Sequence, residues 1–138
     1  MRKVRSMSLA LAAVAVLSSC SAIDAIANSG RLNATYELTT VNGVRIPAVI
    51  YQEPGYRVEV LNANFTLEED GTYTEAGILR ETFDGESSTV SSSTYGYYEY
   101  YDGEITFDES GGRRYYGYLD GSTLVIEDQG VTMRYRRY

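Results

Sequence analysis

From Leu32 onward the chain repeats on a period of two, interrupted at short intervals by glycine-containing turns. That rhythm leaves little room for anything but antiparallel sheet. Leu32, Ala34, Tyr36 and Leu38 alternate with Asn33, Thr35, Glu37 and Thr39, the pattern of a half-buried strand. Val58 and Val60 carry the same alternation, which then shifts phase to Leu61, Ala63, Phe65 and Leu67. A one-residue slip inside a strand predicts a β-bulge, the device that bends a sheet into a barrel.

Turn positions test whether neighbouring strands agree on which face is apolar. Asp102-Gly103 as a two-residue turn sets Tyr100 against Ile105 and Tyr98 against Phe107, both on one face. A three-residue loop, Ser110-Gly111-Gly112, sets Phe107 against Tyr115. Gly121-Ser122 sets Leu119 against Leu124, and Gln129-Gly130 sets Ile126 against Met133. Glu69-Asp70-Gly71 turns the chain so that Tyr73 meets Leu67, with Glu75, Gly77 and Leu79 following on that face. Near the start, Val41-Asn42-Gly43 as a three-residue loop places Thr40 opposite Val44, with Ile46, Ala48 and Ile50 continuing the inner face. Pro47 cannot donate to a ladder, which puts its strand at an edge or at a bulge. Residues 86–94, rich in Ser and Thr, read as a mobile loop or a weak edge strand. Short connections throughout and no helix of core length predict an all-β fold. We read it as an antiparallel up-and-down barrel of eight or nine strands, in preference to a two-sheet sandwich, because closure removes exposed edges.

The first residues follow a different logic. Arg2, Lys3 and Arg5 precede a mostly apolar run from Met7 to Leu17, too short to span a bilayer and of signal-peptide length. Leu17-Ser18-Ser19-Cys20 then resembles the lipobox of bacterial lipoproteins, which are cut before a cysteine that carries acyl chains. The resemblance implies a signal peptide over residues 1–19, lipidation at Cys20, a tether over residues 20–31 and a domain over residues 32–138. Two or three acyl chains anchor stably where one is marginal. The tether could wind one or two helical turns, but we favour a flexible linker. Ser21, in place of Asp, resembles the sorting signal for the outer membrane.

Processing at Cys20 would leave nine basic residues, all Arg, against nineteen acidic ones, a net charge of −10. Such a chain is a poor partner for nucleic acid, whose affinity rests on phosphate neutralisation. The chain has no His, and its only Lys and only Cys fall in the leader and the lipobox. Imidazole-assisted nucleophiles, Schiff bases and thiol chemistry are therefore absent from the domain. We expect no enzyme, no cofactor and no metal site. The carboxylates of Glu68-Glu69-Asp70 and Asp108-Glu109 read as solvated turns, because the spacing of a dedicated calcium loop is missing.

Four segments resemble the small lipocalin-like lipoproteins of bacterial envelopes. They are Tyr36 to Gly43 leading into Ile46-Pro47, Phe65 to Tyr73, Gly96 to Phe107, and Gly117 to Ile126. The resemblance implies a calycin-type barrel able to hold a small apolar molecule, and it supplies no catalytic residues. The Trp common near the start of lipocalins is absent, with Tyr36 standing near its place.

Fourteen tyrosines, against three Phe and no Trp, furnish the candidate sites. Tyr36, Tyr73, Tyr98, Tyr100, Tyr115 and Tyr135 fall on the inner face. There they suggest either a cavity with polar handles or a self-filled barrel. Glu75 is the charged residue among them, able to serve a ligand amine or act as an acid, or else to sit at the rim. Tyr97, Tyr101, Tyr116, Tyr118 and Tyr138 face outward. Pairing sets Tyr118 beside Val125 and Val125 beside Arg134, which would permit a cation–π contact. Two functions follow as expectations. One is an envelope lipoprotein whose barrel binds a small apolar or amphipathic molecule. The other is an interaction or inhibitor module whose Tyr/Arg face docks an envelope protein, a basic muramidase being one candidate.

Overall fold

The computed structural model describes residues 32–138. The signal, Cys20 and the whole tether lie outside the described residues. Ten strands follow in order: β1 (Ala34–Val41), β2 (Val44–Arg45), β3 (Ala48–Glu53), β4 (Tyr56–Leu67), β5 (Thr72–Phe83), β6 (Glu86–Tyr101), β7 (Glu104–Glu109), β8 (Arg114–Asp120), β9 (Thr123–Asp128) and β10 (Val131–Arg137). All pairings are antiparallel, and the sheet runs β2-β1-β10-β9-β8-β7-β6-β5-β4-β3. A further pairing of Ala34–Glu37 in β1 with Asn64–Leu67 in β4 closes it on itself. The wall is thus an eight-stranded barrel of β1 and β4–β10, with β2 and β3 as additions. Meander connectivity and closure are consistent with a lipocalin-like barrel.

The turn arithmetic holds along most of the chain. Tyr100 meets Ile105, Phe107 meets Tyr115, Leu119 meets Leu124 and Ile126 meets Met133. The phase slip in β4 is a bulge, with the register shifting between Val60 and Asn62. Asp102 and Gly103 both take positive φ (48° and 85°), the two-residue geometry whose twist suits a hairpin.

Two expectations near the start are corrected. The first hairpin uses Asn42-Gly43 alone, also at positive φ (49° and 79°), so that Val41 meets Val44. A bulge between Leu38 and Thr40 against β10 absorbs the extra residue. It rotates Val41 into the core and leaves Val44 58 % exposed. β2 and β3 are separated at Ile46-Pro47, and of this stretch Ala48 is buried and Ile46 half-buried, while Ile50 is exposed. β2 pairs with β1 alone and β3 with β4 alone, so neither is backed by the closed wall.

Residues 86–94 are a strand, the first half of β6, paired with β5 throughout. Their other edge has no partner strand among the described residues, because β7 joins β6 only from Gly96 onward. The barrel closes as expected, but closure does not remove every edge, since this half of β6 stands clear of β7. The long strands β4, β5 and β6 stand taller than the rest of the wall and flare past it at one end. That end carries the turns at 42–43, 54–55, 84–85, 110–113 and 129–130.

The opposite end is shut. The Tyr98 hydroxyl accepts from the Leu32 amide at 2.7 Å and lies 2.6 Å from the Glu68 carbonyl and 2.9 Å from that of Leu32. It ties the incoming chain to the β4–β5 turn. Between the two ends the interior is filled by a cluster of rings. Phe107 stacks on Tyr115 at 5.0 Å and meets Phe65 and Tyr73 edge-on at 5.0 and 5.1 Å. Phe65 also meets Tyr135 edge-on at 5.6 Å. Gly117 makes room for this cluster, since a Cβ there would lie 3.3 Å from Cε2 of Phe107 and 2.6 Å from the Val125 carbonyl oxygen.

Candidate functional site

Above the ring cluster, at the flared end, the barrel opens into a cleft of about 520 Å³. Its apolar lining is Leu38 from β1, Val60 and Ala63 from β4, Leu79 from β5, and Val131 and Met133 from β10, with Asn62, Ser92 and Gln129 among the polar residues beside them. Gly77 keeps one wall low where a side chain would crowd Ala63 and the Asn62 carbonyl. The size and lining are those of a small-molecule pocket.

Glu75 is the polar centre of the cleft. It faces Phe65 across β4 and Thr94 across β6, and it accepts a hydrogen bond from the Tyr135 hydroxyl at 2.8 Å. Burial pushes its carboxyl above the ordinary carboxylate range. The Tyr135 hydrogen bond and the Arg113 charge pull the other way, while Glu109 and Asp128 add to the rise. Tyr135 is itself driven upward by burial and by the neighbouring Glu75 charge. Thr94 lines the same cleft, and its buried Oγ1 has no hydrogen-bond partner.

A salt bridge rims the mouth. Arg113 donates to Asp128 at 2.6 Å and pairs with Glu109 at 2.9 Å, clamping the β7–β8 loop to the end of β9. Its guanidinium lies 4.9 Å from the centre of the Tyr115 ring. Among the described residues this is the cation–π contact that forms, in place of the one expected between Arg134 and Tyr118.

The inner tyrosines divide into two groups. Tyr135 and Glu75 line the cleft. Tyr36, Tyr73, Tyr98 and Tyr115 are buried in the packed core, and Tyr100 is half-buried against it. Tyr115 donates to the Tyr73 hydroxyl at 2.9 Å, and burial raises both phenols. Their polar ends thus find partners within the core. Thr94, Arg113 and Met133 are cleft residues that the sequence reading did not single out. Extending the Asp84-Gly85 turn as a two-residue hairpin through the Ser/Thr run would have set Thr94 opposite Glu75.

Tyr97, Tyr101, Tyr116, Tyr118 and Tyr138 all face outward and are exposed, as is Arg134. Tyr116 and Tyr118 border a shallow hollow of about 460 Å³ with Glu104 and Glu127. Val125, between Tyr118 and Arg134 in the register, is fully covered despite its outward phase. A wider hollow of about 670 Å³ lies around Gly96, but its acidic neighbour Asp108 is already held by Arg114 at 2.7 Å. The end cleft combines apolar walls with a carboxyl lacking a cationic partner and an unbonded hydroxyl, so it is the stronger site. Among the described residues no group of three or more Asp, Glu, His or Cys side chains is placed to hold a metal ion.

The fold and the cleft together define a closed antiparallel eight-stranded barrel, consistent with a lipocalin-like one, with a partly polar pocket at one end. Compared with known proteins, the chain matches no family model, no curated protein and no solved structure.

Proposed function

We propose that this protein is a lipid-anchored envelope lipoprotein whose barrel binds a small apolar or amphipathic molecule in the end cleft, without catalysing a reaction. The observation that carries the binding reading is the cleft of about 520 Å³ walled by Leu38, Val60, Leu79, Val131 and Met133. Apolar surface held open at a barrel mouth is stabilised by an apolar occupant. The anchoring reading rests on the tripartite leader ending in Leu17-Ser18-Ser19-Cys20, and Ser21 directs it to the outer membrane.

Mass spectrometry of organic extracts from protein purified out of the envelope tests the first part. A stoichiometric apolar or amphipathic compound is expected, and an empty protein that also takes up no added alkyl compound refutes it. Labelled palmitate tests the second part: incorporation is expected in the wild type and not in Cys20→Ser.

A second reading has its own observation. Tyr97 and Tyr101 on β6 and Tyr116 and Tyr118 on β8 stand exposed on either side of β7, the latter two beside Glu104 and Glu127 at the hollow. Exposed tyrosines with flanking carboxylates suit a basic protein partner. Tyr116→Ala with Tyr118→Ala is expected to abolish envelope pull-downs, and unchanged pull-downs remove this reading.

A further inference from the structure

We infer that the occupant of the cleft carries a cationic head group, an ammonium on an apolar body, seated on Glu75. This inference rests on the cleft-binding reading above and adds the chemistry of the ligand.

Three observations converge on it. First, Glu75 has no cationic partner of its own. The arginine at the rim, Arg113, is committed to Glu109 and Asp128. Second, the Glu75 carboxyl is oriented as an acceptor: the Tyr135 hydroxyl donates to Oε1, a bond that strengthens with carboxylate charge. A cation entering the cleft would supply the charge that burial among apolar walls leaves uncompensated. Third, Thr94 lies directly across the ladder from Glu75 and holds a buried hydroxyl with no partner. An ammonium has three N–H donors, enough to serve both the carboxylate and that hydroxyl.

The surrounding charge excludes the opposite head group. Among the charges that act on Glu75, the two carboxylates Glu109 and Asp128 face the single guanidinium of Arg113. An anionic amphiphile would meet a net negative mouth and a carboxyl at the bottom. A neutral alcohol would leave the Glu75 charge uncompensated. The ammonium answers both conditions, with its chain against Val60, Leu79, Val131 and Met133.

The test uses three probes of equal chain length, decylammonium, decanol and decanoate, titrated calorimetrically at pH 7 below their aggregation concentrations. Decylammonium is expected to bind wild-type protein at least about tenfold more tightly than either of the others, as a charged hydrogen bond in a desolvated site requires. In Glu75→Gln, which keeps an acceptor for Tyr135, the preference over decanol is expected to fall to near unity. If decanol or decanoate binds the wild type as tightly as decylammonium, or if Glu75→Gln keeps the preference, the inference is overturned while the cleft remains a binding site. If the wild type binds none of the three, the cleft reading itself fails.

Discussion

Phe107→Ala is the sharpest test of how this barrel is held together. Phe107 is fully buried, and its ring contacts three others, Phe65, Tyr73 and Tyr115, at 5.0–5.1 Å. Truncating a buried Phe to Ala costs about 3–5 kcal/mol through lost transfer energy and the cavity left behind. Each ring pair adds about 0.5–1.5 kcal/mol beyond burial, which places this site toward the upper end. The whole domain holds about 5–15 kcal/mol, so the loss is a large fraction of the total. With a urea m-value of about 1–3 kcal/mol per molar, the unfolding midpoint should fall by at least about 1 M. The control is Phe83→Ala at the tip of the flared hairpin, where the ring is 65 % exposed and the change should stay within about 0.5 kcal/mol. Urea unfolding followed by far-ultraviolet circular dichroism reads both. A Phe107→Ala cost below about 1 kcal/mol, or one equal to that of Phe83→Ala, would refute the argument that the ring cluster is the mechanical centre of the fold.

Other expectations concern single groups. Burial raises the Glu75 pKa above its unfolded value, so the folded state holds the proton more tightly. Stability is then greatest below the unfolded pKa and declines as pH rises through the folded one. Glu75→Gln should therefore unfold at a higher temperature than wild type at pH 7, with the gap closing toward pH 4; a gap independent of pH would contradict this. Thr94→Val removes the unbonded hydroxyl at nearly constant shape and should stabilise the empty protein by about 1 kcal/mol, measured by urea unfolding. Gly96→Ala would drive a Cβ into the Asp108 carbonyl, separating β6 from β7, and should abolish soluble folded protein, as judged by circular dichroism and size exclusion. Tyr98→Phe should release Leu32 and speed amide exchange there without altering exchange in the ring cluster, since its hydroxyl bonds to Leu32 and Glu68 lie at the closed end.

Much of this architecture could be read from residues alone because turn length and side-chain period constrain each other. Once Asp102-Gly103 and Gln129-Gly130 are two-residue turns, the partners of Tyr100 and Ile126 follow, and the phase change at Leu61 announces its own bulge. The bulge at Leu38–Thr40 gave no such notice. Thr39 and Thr40 are equally at home on either face, so an apolar pattern cannot locate the slip between them. The Ser/Thr run before Tyr95 was ambiguous for a related reason: a strand standing clear of the core need bury nothing on either side. The site was legible only in part. Glu75 stood out as a charge among apolar neighbours, but the cleft exists because β4–β6 outgrow the rest of the wall. Strand length relative to distant partners is a property of the closed sheet and leaves no local mark. The six inner tyrosines looked alike in sequence, and only their height in the barrel separates Tyr135 at the cleft from Tyr73 and Tyr115 in the packing.

The position of β1 has a mechanical consequence. The chain enters the barrel at Leu32 and passes directly into a strand bonded to β10 on one side and to β4 on the other. A load applied through the N-terminal segment thus first meets the Tyr98 latch. It then runs along β1 itself, where both ladders must slide together instead of parting one bond at a time. Unzipping would require a pull across β1, at right angles to its axis. A pull along the axis of β1 therefore meets the barrel in its stiffest direction, while the cleft at the other end is left unloaded.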